Sequence, residues 1–168
     1  MTKSYSDCSY FILGAGAPHA GDGPTALRET SAGKPVLDWI LEAYDTGFDS
    51  IAFVAGYRAD IVKQRYPSLN IIENTDWEET GNLSSLLLGK PDASRPLFVS
   101  YGDVLFRNNL TAAMEKSSAP VTVAYDGSWK DRAESLAKRE KVAVRDGQVL
   151  RLGYDVPIEW ADGEFIGV

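Results

Sequence analysis

The chain has a single cysteine, Cys8, and a single histidine, His19, among its 168 residues. One cysteine excludes an internal disulfide, so a reducing compartment, the cytoplasm, is the expected location. This scarcity also argues against a zinc centre, which takes several cysteine or histidine ligands. A Ser-His catalytic arrangement would depend on His19 alone.

Basic residues and long apolar runs are also scarce. Lys and Arg total 17 against 24 Asp and Glu, which gives a net charge of −7. This balance argues against nucleic acid or an acidic membrane as a partner, because both favour a basic protein face. No apolar run has the length of a membrane span, and the first residues lack the apolar core of a secretory signal. An anionic small molecule remains compatible with the composition, because a local cluster of Arg and Lys can exist on an acidic protein.

What the chain does contain is an alternation of short apolar runs and helical patterns. Its hydrophobic content of 44% and charged content of 24% are typical of a soluble globular domain with a real core. Helices between the strands predict an α/β fold with a mostly parallel sheet covered on both faces. Asp146-Gly147 predicts a type I′ hairpin turn. The predicted strands are 10–13, 51–55, 69–73, 97–100, 121–125, 141–145, 148–152 and 164–168. The predicted helices are 36–46, 59–66, 83–87 and 109–116; Gly47 is expected to stop the first and Asn82 to cap the third.

The stretch from Tyr10 to Gly16 is the most informative. Its apolar run breaks on two glycines, Gly14 and Gly16, which predicts a buried strand that enters a tight turn. Glycine tolerates positive φ and lets a ligand approach the backbone, and successive N–H groups in such a turn form an anion cradle. A tight turn without a ligand is the alternative. The Gly- and Pro-rich segment 17–25 predicts a long loop, which favours a functional role.

Three strand ends are unusual, and parallel strands would bring them to one edge of the sheet. They are Leu13–Gly16, Ala55–Tyr57 and Tyr101–Asp103. Ligands bind beyond the carboxyl ends of such strands. Asp103 follows an apolar strand and a glycine, and its carboxylate suits Mg²⁺, although a turn-forming Asp is the alternative. The convergence predicts a nucleotide site.

Other nucleotide and hydrolase motifs are missing. A dinucleotide fingerprint requires a glycine where His19 stands, and the second strand ends at Arg58 without an acidic residue for a ribose. The chain has neither a Gly-Lys-Ser/Thr phosphate loop nor a G-x-S-x-G elbow. These absences argue against a dehydrogenase, a P-loop enzyme and an α/β-hydrolase.

A series of short motifs is distributed along the chain. The motifs are Phe11–Gly16, Pro24–Leu27, Gly33–Asp38, Val54–Tyr57, Asn74–Ser85, Tyr101–Phe106, Glu140–Gly147 and Ala161–Gly167. Together they resemble the sugar-phosphate-type nucleotidyltransferases, nearest to phosphocholine cytidylyltransferases and the modules associated with phosphonate biosynthesis and phosphoenolpyruvate mutase. The resemblance covers essentially the whole chain in the right order, and it implies a Rossmann-like, three-layer α/β/α fold.

The resemblance also implies a reaction. A substrate phosphate or phosphonate oxygen attacks the α-phosphorus of a nucleoside triphosphate, CTP being favoured, with Mg²⁺ present and pyrophosphate released. Carried over by position, the nucleotide-binding residues are Leu13, Gly14, Ala15, Gly16, Gly56, Tyr57, Asn82 and Ser85; Asp103 holds the metal; and Lys141, Trp129 and Glu164 face the acceptor. The ordinary alternatives are a strand-edge lysine for Lys141, a packed aromatic for Trp129 and a helix cap for Asn82.

The chain departs from the family pattern at two places. The family loop Gly-x-Gly-x-Arg reads Gly16–Ala20 here without the arginine, and Thr25 replaces the lysine that grips the phosphates. Arg28 and Lys34 are the candidate catalytic cations in its place. The family also continues past Val168 with another acidic metal ligand, so we expect residues 1–168 to be a single domain truncated at its C-terminal end.

These departures leave the activity open between three classes. The favoured one is a slow or impaired cytidylyltransferase. The others are a non-catalytic nucleotide-binding or regulatory domain and a sugar-nucleotide-dependent glycosyltransferase. The sequence does not specify the acceptor or the oligomeric state, because acceptor loops vary within one fold.

Overall fold

The computed structural model describes residues 8–131 and 138–168. The chain divides into two compact units, Met1–Ala113 and Met114–Val168. None of the helices in the described part of the chain has the length and apolar character needed to cross a bilayer.

A parallel four-stranded sheet is the centre of the first unit. Its strands are β1 (Ser9–Gly14), β2 (Ile51–Ala55), β3 (Asn70–Glu73) and β4 (Leu97–Tyr101), in the order β3-β2-β1-β4. The two central strands, β1 and β2, are almost wholly buried, which explains their continuous apolar runs. The parallel sheet and its connecting helices confirm the predicted α/β fold.

Four helices belong to this part of the chain: α1 (Val36–Tyr44), α2 (Ala59–Arg65), α3 (Asn82–Leu88) and α4 (Asn108–Met114). Helix α1 buries the face that its period predicts, including Leu37 and Ile40 at 0% exposure. The prediction that Gly47 stops α1 is wrong. The helix ends at Tyr44 because Asp45 adopts a left-handed conformation, with φ of 49°, which Asp tolerates better than most residues.

An antiparallel sheet forms the second unit. Its strands are β5 (Tyr125–Asp126), β6 (Lys141–Arg145), β7 (Gln148–Gly153) and β8 (Gly163–Phe165), in the order β5-β8-β6-β7. The hairpin between β6 and β7 turns at Asp146 and Gly147, whose φ angles are 52° and 74°. Positive φ at both central residues is what a type I′ turn requires, so the predicted hairpin is confirmed.

Two strands predicted in this unit are shorter than expected. Val121 is 78% exposed and residues 121–124 are not strand, so the predicted strand 121–125 is reduced to Tyr125–Asp126. The predicted strand 164–168 ends at Phe165. Gly167, two residues later, has a positive φ of 77°, which a strand does not adopt.

Candidate functional site

The three unusual strand ends lie side by side, as predicted. In the sheet register Gly14 is opposite Ala55, and Leu13 is opposite Tyr101. The backbone N–H of Gly102 donates to the carbonyl of Leu13 at 2.8 Å. The equivalent N–H of Tyr57 donates to the carbonyl of Ala15, also at 2.8 Å. The first turn is therefore attached to both neighbouring strand ends by backbone hydrogen bonds.

Close backbone packing explains the glycines at these strand ends. A Cβ on Gly56 would lie 2.6 Å from both the carbonyl oxygen of Ala15 and Cβ of Trp77, and one on Gly102 would lie 3.0 Å from Cα of Gly14. The tolerance of positive φ that the sequence analysis invoked for Gly14 and Gly16 is not used, because neither glycine has a positive φ. Absence of a side chain is what matters, because it allows the strand ends to approach each other.

A cleft of about 300 Å³ opens at this edge of the first unit, a volume at the small end for ligand pockets. We call it the carboxyl-edge cleft. It contains six of the predicted site residues: Leu13, Gly14, Gly16, Arg28, Asn82 and Asp103. The other lining residues are Ala17, Pro18, His19, Ala20, Thr25, Ala26, Tyr101 and Gly102.

Arg28 supplies the permanent positive charge of the cleft. Its Nη2 donates to the carbonyl of Ala20 at 2.6 Å, and among the described residues no carboxylate pairs with it. Thr25 lies in the same cleft and brings a hydroxyl but no charge. An anion in the cleft would therefore meet an arginine that is not neutralised by a neighbouring acid.

Asp103 is the one carboxylate among the described residues that line the cleft. Its side chain is exposed, and the described part of the chain gives it neither an ion pair nor a hydrogen bond. No group of three or more potential metal-binding side chains occurs among the described residues. A divalent cation in the cleft would have Asp103 as its carboxylate ligand, and substrate phosphates and water would have to complete its coordination.

Two side chains from the turn that precedes α2 contact the loop that follows Gly16. The hydroxyl of Tyr57 donates to the carbonyl of Asp22 at 3.5 Å, and Nη1 of Arg58 donates to the same oxygen at 3.4 Å. The Tyr57 ring also meets Trp77 edge to face, with centroids 5.6 Å apart. Tyr57 thus contacts the loop and Trp77, and neither Gly56 nor Tyr57 is among the described residues that line the cleft.

Asn82 and Ser85 lie on the same helix but in different environments. The prediction that Asn82 caps α3 is wrong, because extended Gly81 holds the cap position and Asn82 is the first helical residue. Its exposed side chain lines the cleft. Ser85 is only 4% exposed, and its hydroxyl accepts a hydrogen bond from Asn74 at 3.1 Å.

The two remaining candidates of the first unit lie outside the cleft lining. Ala15 is buried, and only its backbone contacts the neighbouring strand end. Lys34 lines a separate groove of about 540 Å³. There it forms an ion pair with Glu42, and its ammonium lies 4.1 Å from the centroid of the Trp39 ring. Of the two candidate cations, the structure places Arg28 in the cleft.

The acceptor-binding candidates all belong to the second unit. Lys141 is 2% exposed, and its Nζ donates to the carbonyls of Tyr154 at 2.7 Å and Arg139 at 3.0 Å. Glu164 is opposite Lys141 in the sheet register and forms an ion pair with Arg139 at 2.7 Å. Trp129 is also 2% exposed and packs in the core of this unit. Its burial favours a packing role over contact with an acceptor.

Comparison with known proteins identifies the fold. No family model and no curated protein matches the sequence. Among solved structures, the inositol-1-phosphate CTP transferase from T. maritima matches with a TM-score of 0.70 and 21% identity over 95% of this chain. CTP:phosphocholine cytidylyltransferase from Streptococcus pneumoniae matches with a TM-score of 0.56 and 21% identity over 87% of this chain.

The chain has the fold of the sugar-phosphate nucleotidyltransferases. The resemblance in the sequence motifs is therefore confirmed at the level of the fold. The alignments cover 68% of the first solved chain and 64% of the second, so this chain spans about two thirds of the length of each.

Sequence reasoning missed several residues that shape the site. His19 lines the cleft, Arg58 holds the loop, Trp77 packs against Gly56, and Asn74 binds Ser85. Asn74 and Trp77 are two of the residues that define the motif Asn74–Ser85, which resembles the family pattern. The motif does not say which of its residues face the ligand and which support the others.

Proposed function

We propose that the chain binds CTP with Mg²⁺ in the carboxyl-edge cleft and transfers the cytidylyl group to a phosphorylated or phosphonate small molecule. The observation that carries the proposal is the convergence in one cleft of the Gly14–Gly16 turn, Asp103 and Arg28, which forms no ion pair with the other described residues. Both solved structures described above are named for CTP-dependent transfer to a phosphorylated substrate, which supports the same reaction class.

Each part of the cleft has a role in this reaction. The backbone of the Gly14–Gly16 turn lets the phosphates approach closely and offers N–H donors to them. Asp103 would hold Mg²⁺, which supplies positive charge to the phosphate oxygens. Arg28 stabilises the negative charge that develops on the leaving pyrophosphate. Asn82, whose side chain is exposed in the cleft, is the residue we assign to the nucleoside.

The acceptor would be bound by the second unit. Lys141 and Glu164 are opposite each other on two antiparallel strands, where Lys141 is buried and Glu164 is paired with Arg139. Phosphate recognition by Lys141 requires it to exchange at least one backbone carbonyl for the substrate oxygen, since its ammonium now donates to two of them. The chemical identity of the acceptor depends on loops that vary within one fold.

A nucleotide-binding domain without turnover is the second candidate. The observation that favours it is Thr25, which lies in the cleft where the family resemblance places a lysine. Pyrophosphate release separates the two candidates. A cytidylyltransferase releases pyrophosphate when CTP and a phosphorylated acceptor are both present, whereas a binding domain releases none.

CTP with Mg²⁺ is expected to raise the melting temperature more than ATP or GTP does. A ligand at about 100 times its Kd stabilises a protein by about 2.7 kcal/mol. Thermal unfolding with each triphosphate at millimolar concentration, with and without Mg²⁺, measures the effect. If no triphosphate changes the melting temperature, both nucleotide-binding candidates are wrong.

Gly16→Ala is expected to weaken CTP binding about tenfold without lowering the melting temperature. The added Cβ would meet no protein atom within 4 Å, so the fold has room for it, but Gly16 lines the cleft and the methyl group would take ligand space. Gly23→Ala is the matched control, because its Cβ is equally unobstructed and Gly23 does not line the cleft. Equal CTP affinity in the two variants, measured by calorimetry, would show that the Gly14–Gly16 turn does not bind CTP.

A further inference from the structure

Asn74 is a buried amide that joins three segments of the first unit. It follows β3 directly and is 1% exposed. Its backbone N–H donates to the carbonyl of Ala55 at 2.7 Å. Its Oδ1 accepts from the backbone N–H of Asp76 at 3.1 Å, and its Nδ2 donates to Thr80 Oγ1 at 2.8 Å and Ser85 Oγ at 3.1 Å. It thus connects the end of β2, the loop before α3 and α3 itself.

These bonds constrain the side chain fully. Both amide hydrogens and the amide oxygen have partners inside the protein, and a buried polar group that loses a partner is costly. Thr80 extends the network, because its hydroxyl donates to the carbonyl of Asp76 at 2.8 Å. We call Asn74, Thr80 and Ser85 the Asn74 bracket.

Helix α3 depends on this bracket because its own sequence anchors it poorly. The helix has only seven residues, and its polar Ser85 is buried while Leu83 and Leu87 are 68% and 60% exposed. Leu86 is the one leucine of the helix that packs against the described core cluster. One packed leucine restrains rotation of the helix about its axis only weakly. The hydrogen bond from Asn74 to Ser85 therefore sets which residues of α3 face the cleft.

The residue that α3 presents to the cleft is Asn82. It is the first residue of the helix and stands three positions before Ser85, so the two are neighbours on adjacent turns. A shift of α3 at Ser85 therefore moves Asn82 relative to the cleft.

We infer that Asn74 is a positioning residue for the nucleoside end of the site, and that Ser85 serves as its buried acceptor and does not contact the nucleotide. This inference rests on the proposed function, since it assigns the nucleoside to Asn82. It replaces the contact with the nucleotide that the resemblance implies for Ser85. The phosphate cradle, Gly14–Gly16, belongs to β1 and the turn after it, and none of the side-chain hydrogen bonds of the bracket described above ends on it.

The test compares CTP with pyrophosphate, each titrated with Mg²⁺ by calorimetry. Ser85→Ala removes one acceptor of Asn74, and Ser84→Ala is the matched control, because Ser84 is the exposed neighbour on the same helix. Loss of one partner of a buried amide predicts that Ser85→Ala weakens CTP binding about tenfold. Pyrophosphate binding is expected to stay within about twofold of wild type, and Ser84→Ala is expected to change neither ligand.

Asn74→Ala and the double variant Asn74→Ala/Ser85→Ala complete a cycle. If Ser85 acts only through Asn74, the double variant binds CTP as weakly as Asn74→Ala alone. Additive losses would show that Ser85 contacts the nucleotide itself, and equal losses of CTP and pyrophosphate would show a general structural effect. Either result overturns the inference, as does identical behaviour of Ser85→Ala and Ser84→Ala. If Asn74→Ala does not fold, the comparison of the two serine variants decides alone.

Hydrogen exchange separates this inference from the proposed function. If the wild-type protein binds neither CTP nor pyrophosphate, the proposed function fails, and amide exchange in residues 82–88 still reports on the bracket. Faster exchange in Ser85→Ala than in Ser84→Ala supports positioning of α3 by Asn74. Equal rates overturn it.

Discussion

Asp103→Asn is expected to abolish the effect of Mg²⁺ on CTP binding while leaving the fold intact. The substitution keeps the size of the side chain and removes the charge, and Asp103 has no partner among the described residues whose loss would destabilise the protein. Even outer-shell groups at metal sites are worth 10–100-fold in metal affinity, so removal of the ligand itself should cost about 100-fold or more.

Calorimetric titration of CTP with and without Mg²⁺ measures this effect. Asp22→Asn is the control for charge, because it removes one carboxylate from the loop after Gly16 and Asp22 does not line the cleft. Wild type and Asp22→Asn should both bind CTP more tightly with Mg²⁺. The same gain in Asp103→Asn would mean that Asp103 is an ordinary turn residue, the alternative that the sequence leaves open.

Arg28→Ala is expected to weaken pyrophosphate and CTP binding by about 10- to 100-fold, because hydrogen bonds to a charged partner contribute about 1.5–3 kcal/mol. Pyrophosphate release, where it is measurable, should fall by about 100-fold or more, since a group that stabilises developing charge acts most strongly in the transition state. Lys34→Ala should change both quantities little, because Lys34 lies in another groove and is paired with Glu42.

A second comparison isolates the charge of Arg28 from its contact with the loop. Arg28 also donates to the carbonyl of Ala20, so its loss could act by releasing the loop. Arg58→Ala removes a loop contact of the same kind, at Asp22, without removing a cation from the cleft lining. Equal losses of ligand affinity in Arg28→Ala and Arg58→Ala would show that Arg28 acts by holding the loop. A large loss in Lys34→Ala would show that Lys34 provides the missing charge.

The sequence predicted which backbone segments meet at the site. Gly14, Gly102 and Asp103 follow short apolar runs, and parallel strands must bring such strand ends to one edge of the sheet. The type of each element also followed from its periodicity, because buried strands and amphipathic helices require different spacing of apolar residues. Several predictions that failed concern ends of elements, such as the stop of α1, where the positive φ of the single residue Asp45 decides.

The sequence by itself determined the α/β fold, the shared edge of three strand ends and the resemblance to nucleotidyltransferases. Only the tertiary structure decided which side chains of a motif face the cleft. Asn82 lines it and Ser85 is buried, and Arg28 lines it whereas Lys34 does not. The physical reason is that fold and strand order follow from apolar patterns that repeat along the chain. The direction of one polar side chain depends on the hydrogen-bond partner that another segment brings to it, as Asn74 does for Ser85.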